Sequence, residues 1–230
     1  LPGLHLKYNF DKTTILRAAW TNTLARPNYF YLVPFRQITE VDNEIIIGNP
    51  ELVPTTSMNF DLMFEKYFRT IGIVSAGAFY KDMEDFITFE TRENYFFEDR
   101  TWDTWEKPLN AGNAEVFGFE FAAQRQLDFL PGFLKGFGLY ANYTYTTSTV
   151  SDFRIEGRED DDISLPGSAK HTLNASLSYD SKRFTFRTSL NYASDFVDEF
   201  GEEEFYDRYY DKAIHLDVNA NYAFTPKIRV

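Results

Sequence analysis

The 230-residue sequence contains no cysteine, which rules out disulfides, thiol nucleophiles and thiolate metal sites. That absence suits passage through an oxidising periplasm without fixing the compartment. Long apolar runs are also missing, and nothing approaches the ~20 residues that a transmembrane helix requires. The opening Leu1-Pro2-Gly3 has neither a basic n-region nor an apolar h-region. An export signal is therefore expected upstream, which would make the chain a fragment. Basic residues are few: 23 Lys and Arg against 35 Asp and Glu leave a net charge of −12. Phosphate binding calls for clustered Lys and Arg, so no nucleic-acid partner is expected.

Aromatic residues, by contrast, are abundant. They make up 18% of the chain, with 24 Phe and 15 Tyr, yet the mean hydropathy is −0.40. A transmembrane β-barrel combines the two, because apolar lipid-facing residues alternate with polar lumen-facing ones. That alternation recurs from end to end. Leu4, Leu6, Tyr8 and Phe10 alternate with His5, Lys7 and Asn9, and Phe117, Phe119 and Phe121 with Gly118, Glu120 and Ala122. Near the end, Ile214, Leu216, Val218 and Ala220 alternate with His215, Asp217 and Asn219. This is strand periodicity, and no helical pattern of useful length accompanies it.

The periodicity predicts strands over 4–10, 14–26, 56–69, 71–92, 113–128, 137–151, 168–180, 183–198 and 212–224, with another opening at 227. The connections at 11–13, 69–70, 129–136, 181–182 and 225–226 are short, whereas those at 27–55, 93–112, 152–167 and 199–211 are long. Short and long alternate without exception, as tight periplasmic turns and long extracellular loops do in an outer-membrane barrel. Several strands exceed the ~9–11 residues needed to cross a bilayer. The fold class expected is thus an all-β, antiparallel transmembrane barrel. A soluble β-sandwich or solenoid with a Phe-rich core is the rival.

Several segments, in order, resemble TonB-dependent outer-membrane receptors. They are Arg17–Tyr29 (RAAWTNTLARPNY), Gly48–Pro54 (GNPELVP), Phe79–Ile87 (FYKDMEDFI), Asn110–Glu120 (NAGNAEVFGFE), Asn142–Tyr145 (NYTY) and Leu165–Ser168 (LPGS). Each is weak alone; their order across the chain carries the resemblance. It implies that residues 1–230 form about ten strands of a 22-stranded barrel whose lumen is plugged. An N-terminal plug carrying the TonB box is implied outside this chain. So is the family's final strand with its terminal aromatic, since the sequence stops at Val230 inside an expected strand. The function implied is energised import of a siderophore, oligosaccharide, peptide or similar solute across the outer membrane. Implied partners are outer-membrane lipid and lipopolysaccharide, the plug, the TonB complex and other assembly subunits such as a surface lipoprotein. A structural or adhesive barrel subunit and a small complete barrel, such as an outer-membrane hydrolase, are the alternatives.

No catalytic constellation stands out, and neither enzyme activity, a resident metal nor a cofactor is expected. His5, His171 and His215 lie in separate strands and read as polar-face residues lining a lumen. Gly118, before Glu120, reads as a lumen-side position where bulk is limited. The candidate substrate-binding residues are Tyr95, Phe96, Phe97, Trp102 and Trp105, exposed if 93–112 is a loop, together with Arg26 at the mouth. The same 93–112 loop folded back over the plug or wall is the alternative for the aromatics; for Arg26 it is a structural ion pair. Residues 152–164 and 198–211 hold thirteen acids (Asp152, Glu156, Glu159, Asp160, Asp161, Asp162; Asp198, Glu199, Glu202, Glu203, Glu204, Asp207, Asp211) against Arg154, Arg158 and Arg208. They read as solvated loops, or as a surface that binds divalent cations, Ca²⁺ suiting it best, or bridges through such cations to lipopolysaccharide.

Overall fold

The computed structural model describes residues 1–68, 72–161 and 163–225, and the backbone of 228–229. The expected turn at 69–70, Asp162 and the expected strand opening at 227 lie outside the described residues. The elements are β1 (Gly3–Asn9), β2 (Thr14–Ala25), α1 (Tyr29–Leu32), β3 (Arg36–Thr39), β4 (Glu44–Ile47), β5 (Thr55–Tyr67) and β6 (Gly72–Phe97). They continue with β7 (Arg100–Gln126), β8 (Phe137–Ser151), β9 (His171–Asp180), β10 (Phe184–Ala193), β11 (Phe196–Glu199), β12 (Arg208–Tyr210), β13 (Ala213–Thr225) and β14 (Ile228–Arg229).

One sheet runs in the order β1-β2-β5-β6-β7-β8-β9-β10-β13-β14, antiparallel throughout. Its register sorts the side chains into two unlike faces. Leu6, Ala18, Leu62, Ala78, Phe119 and Tyr145 lie opposite one another in succession. The adjacent row is Lys7, Arg17, Met63, Gly77, Glu120 and Thr144. Because the side-chain period is two, a slip of one residue anywhere would exchange the faces. The apolar face is uncovered: Leu6 is 59% exposed, Phe119 52% and Leu216 67%. A soluble sandwich would bury that face against a second sheet. A continuous apolar surface of this extent instead fits lipid.

Two details of the polar face follow from sterics and register. Phe79 lies across Gly118, so a Cβ there would collide with its ring. Gly118 is thus a small residue on the polar side, as the sequence suggests. His171 corrects the reading of the histidines: it lies opposite Tyr145, on the apolar face. There it stacks on Tyr143, whose hydroxyl is 2.8 Å from its Nδ1.

The largest departure from the expected strands is the 93–112 segment, which is no loop. β6 and β7 continue as a paired ribbon to a two-residue turn at Glu98-Asp99. At about 3.3 Å per residue, 26-residue β6 runs about 85 Å, far beyond any bilayer. At the other edges the sheet is open: among the described residues β1 pairs only β2, and no pairing joins β1 to β13 or β14.

Candidate functional site at the long-loop end

The buried core among the described residues lies at the long-loop end, between strand extensions and the loops that cover them. Phe86, Ala111, Ala114, Val150, Phe153, Ile155, Ile163 and Phe200 form one cluster, and Ile45, Trp102 and Trp105 another. Both form where the long connections meet the β6–β7 arm. The polar face becomes apolar there: Met83 pairs with Ala114, and Ala114 with Val150. The loops fold over that stretch of the lumen-side face.

A β-bulge at Asp85 organises this region. The pairing shifts between Met83 and Phe86, and Asp85 adopts a positive φ of 57°. An extra residue flips the parity, which turns Phe86 into the loop core. The bulge's freed backbone groups are capped from several directions. Asn110 Nδ2 and Thr55 Oγ1 donate to the Asp85 carbonyl at 2.8 and 2.9 Å, and the Asp85 N–H donates to Asn113 Oδ1. Arg154 Nη1 reaches the Asp85 carboxylate at 2.6 Å. Asn110 also exchanges two bonds with the Val53 backbone, both 2.9 Å. Three family-like stretches, 48–54, 79–87 and 110–120, thus converge on one knot. Their shared task is to seat loops on the arm.

The arm exchanges its neighbours above the knot. Below it, β8 flanks β7; above it, β4 from the 27–55 connection takes that edge in parallel, with Ile45 opposite Trp105. Phe200, from the far loop, bridges Glu90 on β6. The strong twist of a two-stranded ribbon is what lets loops from opposite sides reach it.

This geometry corrects the expectation of five exposed aromatics. Trp102 is 4% exposed and Trp105 6%, while Tyr95 and Phe97 are half-buried. Trp105 packs on Tyr95 at 5.1 Å and on Phe97 at 6.1 Å between centroids. The Arg92 guanidinium sits 4.9 Å from the Tyr95 ring, and that of Arg100 3.6 Å from Trp102. Only Phe96, 63% exposed, points outward. The physical reason is strand parity: Tyr95 and Phe97 share one face of the ribbon, and Phe96 takes the other. The signal was available in the unbroken alternation through Tyr95-Phe96-Phe97 and the short turn after it. Arg26 is exposed, forms no ion pair among the described residues, and lines a cavity of about 370 Å³ with Tyr31, Phe86 and Pro166.

The acidic loops are less uniform than their composition implies. Arg158 is buried, bound by Asp207 at 2.5 and 3.0 Å, by Asp161 at 2.7 Å and by the Gly201 carbonyl at 3.0 Å. Burial alone would lower its pKa, but the hydrogen bonds to Asp207 and Asp161 outweigh it and hold the pKa above the ordinary arginine value. Arg154 pairs with Asp152 and Asp85, Arg92 with Glu90 and Glu156, and Arg208 with Glu199. No three acids or histidines among the described residues converge as metal ligands. A cavity of about 460 Å³ lies beside the Arg158 clamp, lined by Asp195, Phe196, Lys170, Glu204 and Tyr209. Sequence reasoning quoted Asn110 only as the start of a family-like stretch and counted Arg158 only as a loop charge, and so missed the role of each. Their roles depend on partners far along the chain, Asp85 and Val53 at 25 and 57 residues from Asn110 and Asp207 at 49 from Arg158.

The comparisons with known proteins agree with this architecture. No curated protein matches the chain. Among solved structures, the ferric enterobactin receptor PfeA of Pseudomonas aeruginosa (as a mutant) superposes with a TM-score of 0.64 at 16% identity. That match covers 99% of this chain and 33% of the receptor. The copper transporter OprC gives 0.67 at 16%, covering 99% and 31%. The siderophore receptor PirA of Acinetobacter baumannii gives 0.61 at 17%, covering 99% and 35%. The chain therefore spans about a third of the length of the solved proteins it matches, and its fold is part of a large outer-membrane barrel. The family model described as "TonB dependent receptor-like, beta-barrel" matches residues 1–230. With the match running through every strand and loop described above, the chain belongs to the TonB-dependent receptor β-barrel family.

Proposed function

We propose that the full-length protein imports a bulky solute across the bacterial outer membrane, energised through TonB. The observation that carries this reading is the family match over 1–230 on a wall with one lipid-suited and one polar face. This chain contributes part of the barrel; a plug within the lumen and a TonB-contacting segment belong to the rest of the protein. Among the described residues the sheet's outer strands, β1 and β14, do not pair with each other, which favours a large barrel over a small complete one. Lipid and lipopolysaccharide surround the apolar face. The solute is of the siderophore, oligosaccharide or peptide kind. Phe96 and Arg26 are the accessible contacts for it, while Tyr95, Phe97, Trp102 and Trp105 stiffen the arm that presents Phe96. Surface lipoproteins or other subunits would dock on the same loops.

The test is uptake by cells carrying or lacking the whole gene, using labelled ferric chelates, oligosaccharides and peptides. Gene-dependent accumulation that a protonophore abolishes is expected for at least one class. Equal gene-dependent entry into de-energised cells would refute energised import.

A further inference from the structure

On β7 the apolar face is bounded by charge at both ends. Glu115 and Arg125 share the parity of Phe117, Phe119, Phe121 and Ala123; Glu115 lies opposite Thr149 and Arg125 opposite Leu139. The rise from Glu115 to Arg125 corresponds to about 25 Å along the membrane normal, at ~3.3 Å per residue and ~40° tilt. That equals the height of the lipid-facing band in such barrels. Arg125 accordingly falls at the boundary on the short-turn side, the periplasmic side of an outer-membrane barrel.

Its side chain is held in place. The guanidinium carbon lies 4.0 Å from the centroid of the Phe68 ring and 4.6 Å from that of Phe129. Gly72 lies directly opposite, where a Cβ would come within 3.2 Å of both Arg125 Cγ and Phe68 Cδ2. Among the described residues the buried Nε has no hydrogen-bond partner, and no carboxylate pairs with the guanidinium. Lys66, on the same face of β5, is different. Its ammonium bonds Thr13 and Thr14 at 2.9 and 2.6 Å and lies 3.5 Å from Asp11. One basic residue at this edge is satisfied within the protein; the other is clamped and left with an unanswered charge.

We propose that Arg125, clamped between Phe68 and Phe129, binds the phosphodiester of a phospholipid in the periplasmic leaflet. An arginine can place its aliphatic stem along apolar surface with its head at the interface. Its planar fork matches two phosphate oxygens, and aromatic rings accept its face while leaving the two Nη groups, unlike the buried Nε, free to donate. The two ring contacts restrict the side chain in advance, so less rotamer freedom is lost on binding. The proposal rests on the membrane placement of the wall.

The test is native mass spectrometry of the full-length receptor in mild detergent with added phosphatidylglycerol or phosphatidylethanolamine. Arg125→Gln is expected to lower the occupancy of one bound phospholipid about fivefold. Arg187→Gln, on the exposed polar face opposite Ser178 and Asn219, is expected to leave it unchanged. Unchanged occupancy in folded Arg125→Gln receptor overturns the proposal, as does an equal fall in Arg187→Gln. Binding of inorganic phosphate at Arg125 without effect on lipid occupancy also overturns it. If Arg125→Gln does not fold, Phe129→Ala on the exposed turn takes its place, with the same fall expected and an unchanged value refuting. Failure of wild-type receptor to insert into membranes would instead refute the membrane placement.

Discussion

Replacing Arg158 with Ala should release the two acidic loops from each other while leaving the barrel wall intact. The Arg158 side chain is 3% exposed and that of Asp207 4%. Arg158 supplies two of the three bonds to the Asp207 carboxylate and one to the Gly201 carbonyl. Without it, Asp207 keeps only the Gly201 N–H at 3.0 Å and becomes a buried, uncompensated charge. Removing one partner of a buried pair costs about 3–5 kcal/mol, a factor of roughly a hundred to several thousand in the opening equilibrium. Asp161, 39% exposed, adds little, because solvent screens it. The assay is amide hydrogen exchange on the full-length receptor in detergent, read over 152–167 and 196–210 against β8 and β9. Exchange should accelerate in the loops alone. Arg158→Leu combined with Asp207→Leu should recover much of the protection, since no lone charge remains buried. Unchanged loop exchange in Arg158→Ala would refute the reasoning, and so would acceleration spread evenly through the wall.

Arginine at Val218 should cost about 2–4 kcal/mol in denaturant unfolding from lipid, and far less at Asn219; equal costs would show the face assignment to be wrong. Single cysteines at Glu159, Glu203 and Asp99 should all react with an impermeant reagent on intact cells, and one at Lys182 should not. Mixed labelling within the first group would refute the topology. Glu106 has its pKa raised above 4.5 by burial first, then by Glu199 and Glu44, with Arg208 opposing. A raised carboxyl pKa means the closed loops bind the proton more tightly. Loop protection should therefore increase as pH falls through the raised value and level off below about 4.5. Glu106→Gln should remove that dependence, and a pH response persisting in the variant would assign it elsewhere.

The sequence by itself determined the wall. Period-two alternation fixes which residues share a face, because successive strand side chains point to opposite sides. The long and short connections fix which ends lie together. Leu4 to Phe10, Phe117 to Phe121 and Ile214 to Ala220 were legible for this reason: each face assignment depends only on neighbours along the chain. The loop end was not legible in the same way. Whether Trp102 and Trp105 face water or a core depends on Ile45, some sixty residues earlier, pairing onto β7. Whether Arg158 is a solvated charge or a clamp depends on Asp207, and the bulge at Asp85 is completed by Asn110, Thr55 and Arg154. His171 shows the same limit within a strand, since its polarity suggested one face and its register opposite Tyr145 gave it the other. Local spacing sets periodicity, but burial is a sum over distant segments, and only the tertiary structure performs that sum.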